Sequence, residues 1–276
     1  MTDVDVVILT KNERLHIARC INALAPLQPR RIFVVDCFSD DGTQKIARDL
    51  GAEVVEREWP GNQAAQFNWA LDNLPLEAEW ILRIDADEYL YPETIEEVKS
   101  LLPPEGRIAD DVNSLSLSRA RRFMQKDLRH GGREVELVRF FRRGFGRSTE
   151  SEMDEHIAVS CGRNVKLRGK FVDDSLMSFE DWKAKHRAYA KREARMAVRG
   201  AANSNKKLYY RLPPYLRAFA YFCWRYFARF GFLDGSAGWK WNYWQGLWYR
   251  CLVDREISRL AKEERKQRSS TAPLCE

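Results

Sequence analysis

The order of segments predicts an α/β fold, a sheet with parallel strands flanked by helices, followed by a helical extension rich in aromatics. Three observations carry this. Four strand-like runs, Val4–Leu9, Arg31–Asp36, Ala52–Glu56 and Trp80–Asp85, alternate with helix-like segments. Three of the four end on a polar or acidic group, Thr10, Asp36 and Asp85. The last third changes character and becomes dense in aromatics. A domain over residues 1–175 with a helical region over 176–276 follows from that shift.

The first run, VDVVIL, is short and β-branched, as a buried parallel strand requires. It stops at Thr10-Lys11-Asn12-Glu13, with Asn12 placed as the N-cap of a helix over Leu15–Leu24. Pro26 and Pro29 close that helix. RIFVVD is the second strand, and Ser39-Asp40-Asp41-Gly42-Thr43 is turn chemistry leading into the next helix. AEVVE is the third strand, 61–74 a helix, and WILRID the fourth strand. A helix from Pro92 to Leu102 ends at Pro103-Pro104. SLSLSRA over 114–120 alternates strictly, which predicts a strand with one wet face. Val135–Phe141 is a further strand. Ser178–Arg199 is a charged helix with most of its surface solvated. In the aromatic third, Arg217, Arg225 and Arg229 are spaced in multiples of four and predict a basic stripe opposite an aromatic face, suited to anionic headgroups.

Asp85-Ala86-Asp87-Glu88 is the stretch where chemistry concentrates. Residues i and i+2 of an extended chain point the same way, so Asp85 and Asp87 converge at a C-terminal sheet edge. Such edges are where open α/β sheets bind ligands. Two carboxylates suit Mg²⁺ or Mn²⁺ bridging to substrate phosphates. Asp154-Glu155-His156 is a second cluster with acid–base capacity. The net charge of +6 and pI near 9 point to anionic partners. Basic residues interspersed with acids, and no recognised nucleic-acid motif, argue against nucleic acid. Six scattered cysteines without a CxxC pair speak against a zinc site and for a reducing compartment. The chain starts directly in a strand-like run, so no signal peptide is expected.

In this order the motifs resemble family 2 glycosyltransferases of the GT-A fold. The resemblance is carried by Val7-Ile8-Leu9-Thr10-Lys11-Asn12-Glu13, by Val34-Val35-Asp36 with Ser39-Asp40-Asp41-Gly42-Thr43, and by Asp85-Ala86-Asp87-Glu88 as a DxD motif. A finer likeness, to the branch acting on lipopolysaccharide core or lipid-linked glycans, is carried by four pieces. They are His130-Gly131-Gly132, Arg139-Phe140-Phe141-Arg142-Arg143-Gly144, Asp154-Glu155-His156, and Arg229-Phe230-Gly231-Phe232-Leu233-Asp234-Gly235 with Gly238. Two departures stand out: Cys37-Phe38 where small residues are usual, and Phe67 where a basic residue is common.

The resemblance implies a Rossmann-like mixed sheet and an inverting transfer from a nucleotide-diphosphate sugar to a hydroxyl. The first expectation for the donor is a UDP-sugar, although these residues leave uridine and guanosine both open. Thr10, Asn12, Glu13, Asp36, Asn68, Asp85 and Ala86 then line the nucleotide. Asp87 holds the metal, with Asp85 at the ribose or a metal-bound water. Glu155 is the base of first choice and Asp154 the second, with His156 orienting the carboxylate or touching the diphosphate. Arg121, Arg122, Arg129, Arg139 and Arg142 are candidates for phosphates. The acceptor is a lipid-linked or lipopolysaccharide-type glycan, and the place is the cytoplasmic side of an inner membrane, peripherally bound. Two rivals remain. A sugar nucleotidyltransferase needs a glycine-rich basic loop after the first strand, and residues 10–13 contain no glycine. A non-catalytic binder of nucleotides or anionic surfaces would need only the charge.

Overall fold

The computed structural model describes residues 1–102, 108–132, 134–149, 156–198, 209 and 211–270. The chain divides into two compact units, one of residues 1–125 and 134–176, the other of 126–133 and 177–276.

The first unit is built on a mixed sheet. Its strands are β1 (Val4–Thr10), β2 (Arg31–Asp36), β3 (Glu53–Glu56), β4 (Trp80–Asp85), β5 (Glu88–Leu90), β6 (Val112–Phe123), β8 (Glu136–Arg142) and β11 (Arg163–Asp173), while β7 (Lys126–Leu128) belongs to the second unit. They lie in the order β3-β2-β1-β4-β8-β6-β11-β5. The first four are parallel, and β8 runs antiparallel to both β4 and β6. β9 (Gly146–Ser148) and β10 (Ile157–Val159) form a separate hairpin. Side chains alternate along β1: Val4, Val6 and Ile8 pack with α1 (Ile17–Leu24), while Val7 faces Phe67 of α3 (Gln63–Asn73). Both faces are therefore dry, as the unbroken apolar runs require. This is the mixed sheet flanked by helices that the GT-A resemblance implies.

Two local expectations are corrected here. Asn12 caps no helix: α1 begins at Ile17, and Asn12 takes a left-handed φ of 57°. Its Oδ1 instead accepts from the Asp40 amide. The serine face of β6 is also not wet. Ser114, Ser116 and Ser118 are buried because β6 lies between β8 and β11 with both faces covered. Ser116 donates to Glu136, and Ser114 to Asn164, so these two hydroxyls are satisfied inside.

The second unit is helical. It contains β7 (Lys126–Leu128), α5 (Phe179–Val198), α6 (Leu216–Cys223), α7 (Gly235–Trp241) and α8 (Tyr249–Ser270); α4 (Pro92–Leu101) and α2 (Thr43–Asp49) belong to the first. Wide π turns over Trp224–Ala228 and Asn242–Trp248 continue α6 and lead into α8. α5 is less solvated than its charge pattern predicts. Its Glu193 is buried against α8, accepting from Tyr249 Oη at 2.7 Å and Arg250 at 2.8 Å.

Two of the three stripe arginines, Arg217 and Arg225, are turned inward, contrary to expectation, while Arg229 stays exposed. Arg217 and Asp254 form a buried pair, with Nε donating at 2.8 Å. Arg225 donates to the Gly131 carbonyl at 2.7 Å and lies between the rings of Tyr221 and Trp241. Arg229 donates to the Gly132 carbonyl. The glycines of both motifs fit the same knot: a Cβ on Gly131, at φ +74°, would stand 2.8 Å from Asn242, and one on Gly238 would stand 2.2 Å from the Gly231 carbonyl. Asp234 completes it by accepting from the Arg129 and His130 amides and from His130 Nδ1. The motif pieces at 130–132 and 229–238 are thus explained as packing within this unit. Among the described residues, no helix is long and apolar enough to cross a membrane.

Candidate functional site

The sheet register sets the site. Thr10 pairs with Asp36 and Leu9 with Asp85, so all three strand ends meet one edge. Strands lie about 4.8 Å apart, which puts Asp36 and Asp85 on the order of 10 Å from each other across β1. β4 stops at Asp85. Ala86 and Asp87 form a turn into β5 rather than extending the strand, which corrects the expectation of a continuous extended chain. Burial still alternates: Asp85 and Asp87 are half-exposed, while Ala86 and Glu88 are buried. Ala86 therefore offers a ligand only its backbone.

Buried partners hold this turn from both sides. Glu88 accepts from the Asp85 amide at 3.0 Å and from Arg139, which stacks on Phe171. Burial pushes the Glu88 carboxyl well above its ordinary range against the pull of Arg139, and Asp85 adds to the rise. The Asp87 carbonyl accepts from the Asp174 amide at 3.1 Å and from Arg19, whose other arm grips the Asp174 carboxylate at 2.7 Å. None of Arg19, Glu88, Arg139 and Asp174 was singled out for this role from the sequence. A signal existed for two: Glu88 follows the acidic pair directly, and Arg139 interrupts an apolar strand.

Asp36 is buried and accepts four hydrogen bonds. They come from Thr10 Oγ1 at 2.7 Å, the Ser39 amide at 2.7 Å, Ser39 Oγ at 2.6 Å and Gln44 Nε2 at 2.6 Å. Burial alone would raise its pKa, but the donors outweigh it and the value is lowered. A carboxylate has about four lone-pair positions, and protein donors occupy them. Asp36 thus shapes the loop, and a nucleotide donor must displace one partner to reach it. Glu13 receives His16 Nδ1 at 2.6 Å, while His16 Nε2 accepts from the Leu176 amide at 2.9 Å. An amide only donates, so the hydrogen of this ring sits on Nδ1.

Asn68 is likewise committed. Its Nδ2 donates to the Ser148 carbonyl and its Oδ1 accepts from the Ser148 amide, both at 2.9 Å. It anchors the β9–β10 hairpin to α3. Phe67 is buried in the core, and the Arg83 guanidinium lies 4.9 Å over its ring. Arg83 in turn donates to Ser148 Oγ at 3.0 Å. Ser148 therefore links the hairpin to β4 two residues before Asp85. One residue on, Thr149 closes on His156, with the Thr149 amide donating to the His156 carbonyl at 2.8 Å. Asp154 and Glu155 lie outside the described residues, between these two points. His156 itself is exposed.

The basic cluster is less open than predicted. Arg139 belongs to Glu88, and Arg142 to Glu79 and the Val112 carbonyl. Arg122 donates to Tyr89 Oη at 2.7 Å. Arg139 is buried and needs its partner, while Arg122 and Arg142 are only partly covered.

As for a metal, no group of three or more His, Cys, Asp or Glu side chains converges among the described residues. Asp85 and Asp87, two half-buried carboxylates at one turn, are the donor chemistry that a hard cation takes when its remaining ligands are substrate phosphates and water.

The family model for glycosyl transferase family 2 matches residues 5–168, more than half of the chain. An uncharacterized glycosyltransferase of Rickettsia felis is 39% identical over 99 residues, covering 36% of this chain and 34% of that protein. One of Rickettsia conorii is 40% identical over 92 residues, covering 33% and 31%. These matches thus span about a third of the relatives' length. Among solved structures, glucosyl-3-phosphoglycerate synthase of Mycobacterium tuberculosis, in complex with Mn²⁺, UDP and glucosyl-3-phosphoglycerate, is 23% identical over 44% of each chain, with a TM-score of 0.34. S. aureus TarS is 19% identical over 69% of this chain and 39% of its own, with a TM-score of 0.44.

Proposed function

The chain belongs to glycosyl transferase family 2, and on that premise we propose that it transfers a sugar from a nucleotide-diphosphate donor, a UDP-sugar in the first instance, to a hydroxyl of a glycan or lipid-linked acceptor. The setting we propose is bacterial cell-surface polysaccharide synthesis at the inner face of the membrane. One juxtaposition carries the reading. Strand ends Thr10, Asp36 and Asp85 share an edge, and the Thr149–His156 stem stands one residue from Ser148, which is tied to β4 beside Asp85. The strand-end edge and the Thr149–His156 stem are thereby tied to one strand.

In this reading Asp87 and Asp85 hold Mg²⁺ or Mn²⁺, which when bound stabilises charge on the departing diphosphate. The chain's own residues do the rest. The Glu88–Arg139 and Arg19–Asp174 pairs keep the 85–87 turn in place, so the two carboxylates are preorganised. Thr10, Asn12, Glu13 and Asp36 frame the nucleoside. Glu155, or failing it Asp154, takes the proton of the acceptor hydroxyl as it attacks the anomeric carbon, inverting it. His156 orients that carboxylate.

Asp87→Ala should lower transfer by about a hundredfold or more with thermal unfolding unchanged. Retention of full activity in that variant, or in excess chelator, sinks the metal role. A thermal-shift panel of nucleotide sugars with Mn²⁺ or Mg²⁺ identifies the donor. A panel in which nucleoside triphosphates alone stabilise the protein would favour the nucleotidyltransferase rival.

A further inference from the structure

The second unit presents its charges and its apolar side chains the wrong way round for an isolated soluble helix. On α6 and its π continuation, Leu216, Phe219 and Phe227 recur at i, i+3 and i+11, which is one helix face. They are 59%, 55% and 59% exposed. Phe230 and Leu233 follow at 56% and 59%. Arg217 and Arg225, on the other side, are 4% and 6% exposed. Ring contacts join two of these side chains through their neighbours: Phe227 to Tyr226, Tyr226 to Phe232, and Phe232 to Phe230. Five large side chains more than half exposed present on the order of 500 Å² of apolar surface, at the upper end of what a soluble monomer shows.

The charges near this patch select its occupant. From residue 211 to 250 the exposed ionic side chains are Arg211, Arg229 and Lys240. Asp234 is the one acid of the stretch, and it is turned inward to His130. Exposed charges of one sign in the same stretch as exposed aromatics and leucines match an anionic lipid surface, where rings enter the acyl boundary and basic groups stay with the headgroups. Two copies meeting on this face would bring like charges together.

We infer that the second unit docks on an anionic bilayer through the outward face of Leu216, Phe219, Phe227, Phe230 and Leu233, with Arg211, Arg229 and Lys240 at the headgroups. This deepens the membrane part of the reading above and needs none of its chemistry. It also replaces the mode predicted from sequence: the stripe of arginines 217, 225 and 229 is largely spent on internal partners, and apolar insertion supplies the affinity.

Flotation of the full chain on phosphatidylcholine vesicles, with and without phosphatidylglycerol, tests this. The parent should float on the mixed vesicles. Phe227→Ser with Phe230→Ser should lower partitioning by roughly tenfold per ring, with thermal unfolding unchanged because both rings are exposed. Leu216→Gln with Phe219→Gln, on the same face, should act alike. Arg211→Glu with Lys240→Glu should weaken binding on the phosphatidylglycerol vesicles alone. Equal flotation of parent and both apolar variants overturns the proposal, as does failure of the parent to float. It also falls if light scattering without lipid finds a dimer that the apolar variants turn into monomer. Nucleotide-sugar binding by the same proteins in lipid-free solution keeps the two readings apart: its absence from a parent that still floats sinks the donor reading and leaves the lipid one standing.

Discussion

Asp36 and Asp85 stand at strand ends; Arg217 and Arg225 stand on a helix. All four are charges that a sequence displays with equal clarity, yet only the acids lie where their pattern predicts. A parallel strand with both faces buried leaves a polar residue at its end one place to go, the sheet edge. A helix offers every direction around its axis, and the side that turns inward is chosen by partners elsewhere in the chain. Asp254, 37 residues away, draws Arg217 inside. The Gly131 carbonyl, 94 residues away, draws Arg225. The difference teaches that charge position is readable where the backbone limits direction, and unreadable where packing sets it.

Breaking the helical side of that comparison should have the largest effect on stability. Asp254→Ala leaves Arg217 buried without its carboxylate and should cost about 3–5 kcal/mol, measured by urea unfolding. A loss under about 1 kcal/mol would mean that the arginine finds water and that its inward turn is not enforced.

The hairpin comes next. Asn68→Ala removes both bonds to the Ser148 backbone and should cost about 1–3 kcal/mol. Hydrogen exchange should quicken in residues 146–148 and 157–159 while β1 and β4 stay protected. If protection falls everywhere alike, the hairpin is part of the global fold rather than a tethered segment.

The smallest effect sharpens the strand-edge side. Asp36 has a folded pKa below the ordinary 3.8. A depressed carboxylate stabilises the fold above its unfolded value, and that contribution disappears as pH falls below 3.8 through the folded value. Asp36→Asn should cost on the order of 1 kcal/mol at neutral pH, and stability measured from pH 5 to 2 should then lose part of its acid dependence. An unchanged acid limb would show that the four donors do not hold the charged form.

Much of the fold was legible. The four parallel strands fall within a residue or two of their predicted bounds, because β-branched runs between turn residues have few alternatives. The wet face assigned to β6 failed because alternation reports side-chain chemistry, not what covers a face, and serines can be satisfied inside by Glu136 and Asn164. The bonds of Asn68 to Ser148 and of Arg139 to Glu88 were not legible, because nothing local distinguishes a polar group open to a ligand from one that ties two segments together.

The amino-acid order by itself determined the alternation of strands and helices, the acids at the strand ends and the membership of a family, since these depend on local periodicity and on motifs read in sequence. Only the tertiary structure decided which polar groups were already spent, that Glu88, Arg139, Arg19 and Asp174 brace the 85–87 turn, and that Arg217 and Arg225 point in while the rings of Phe219, Phe227 and Phe230 point out. Hydrogen-bond satisfaction and burial are properties of residues brought together from 51 to 155 positions apart, and no local pattern carries them.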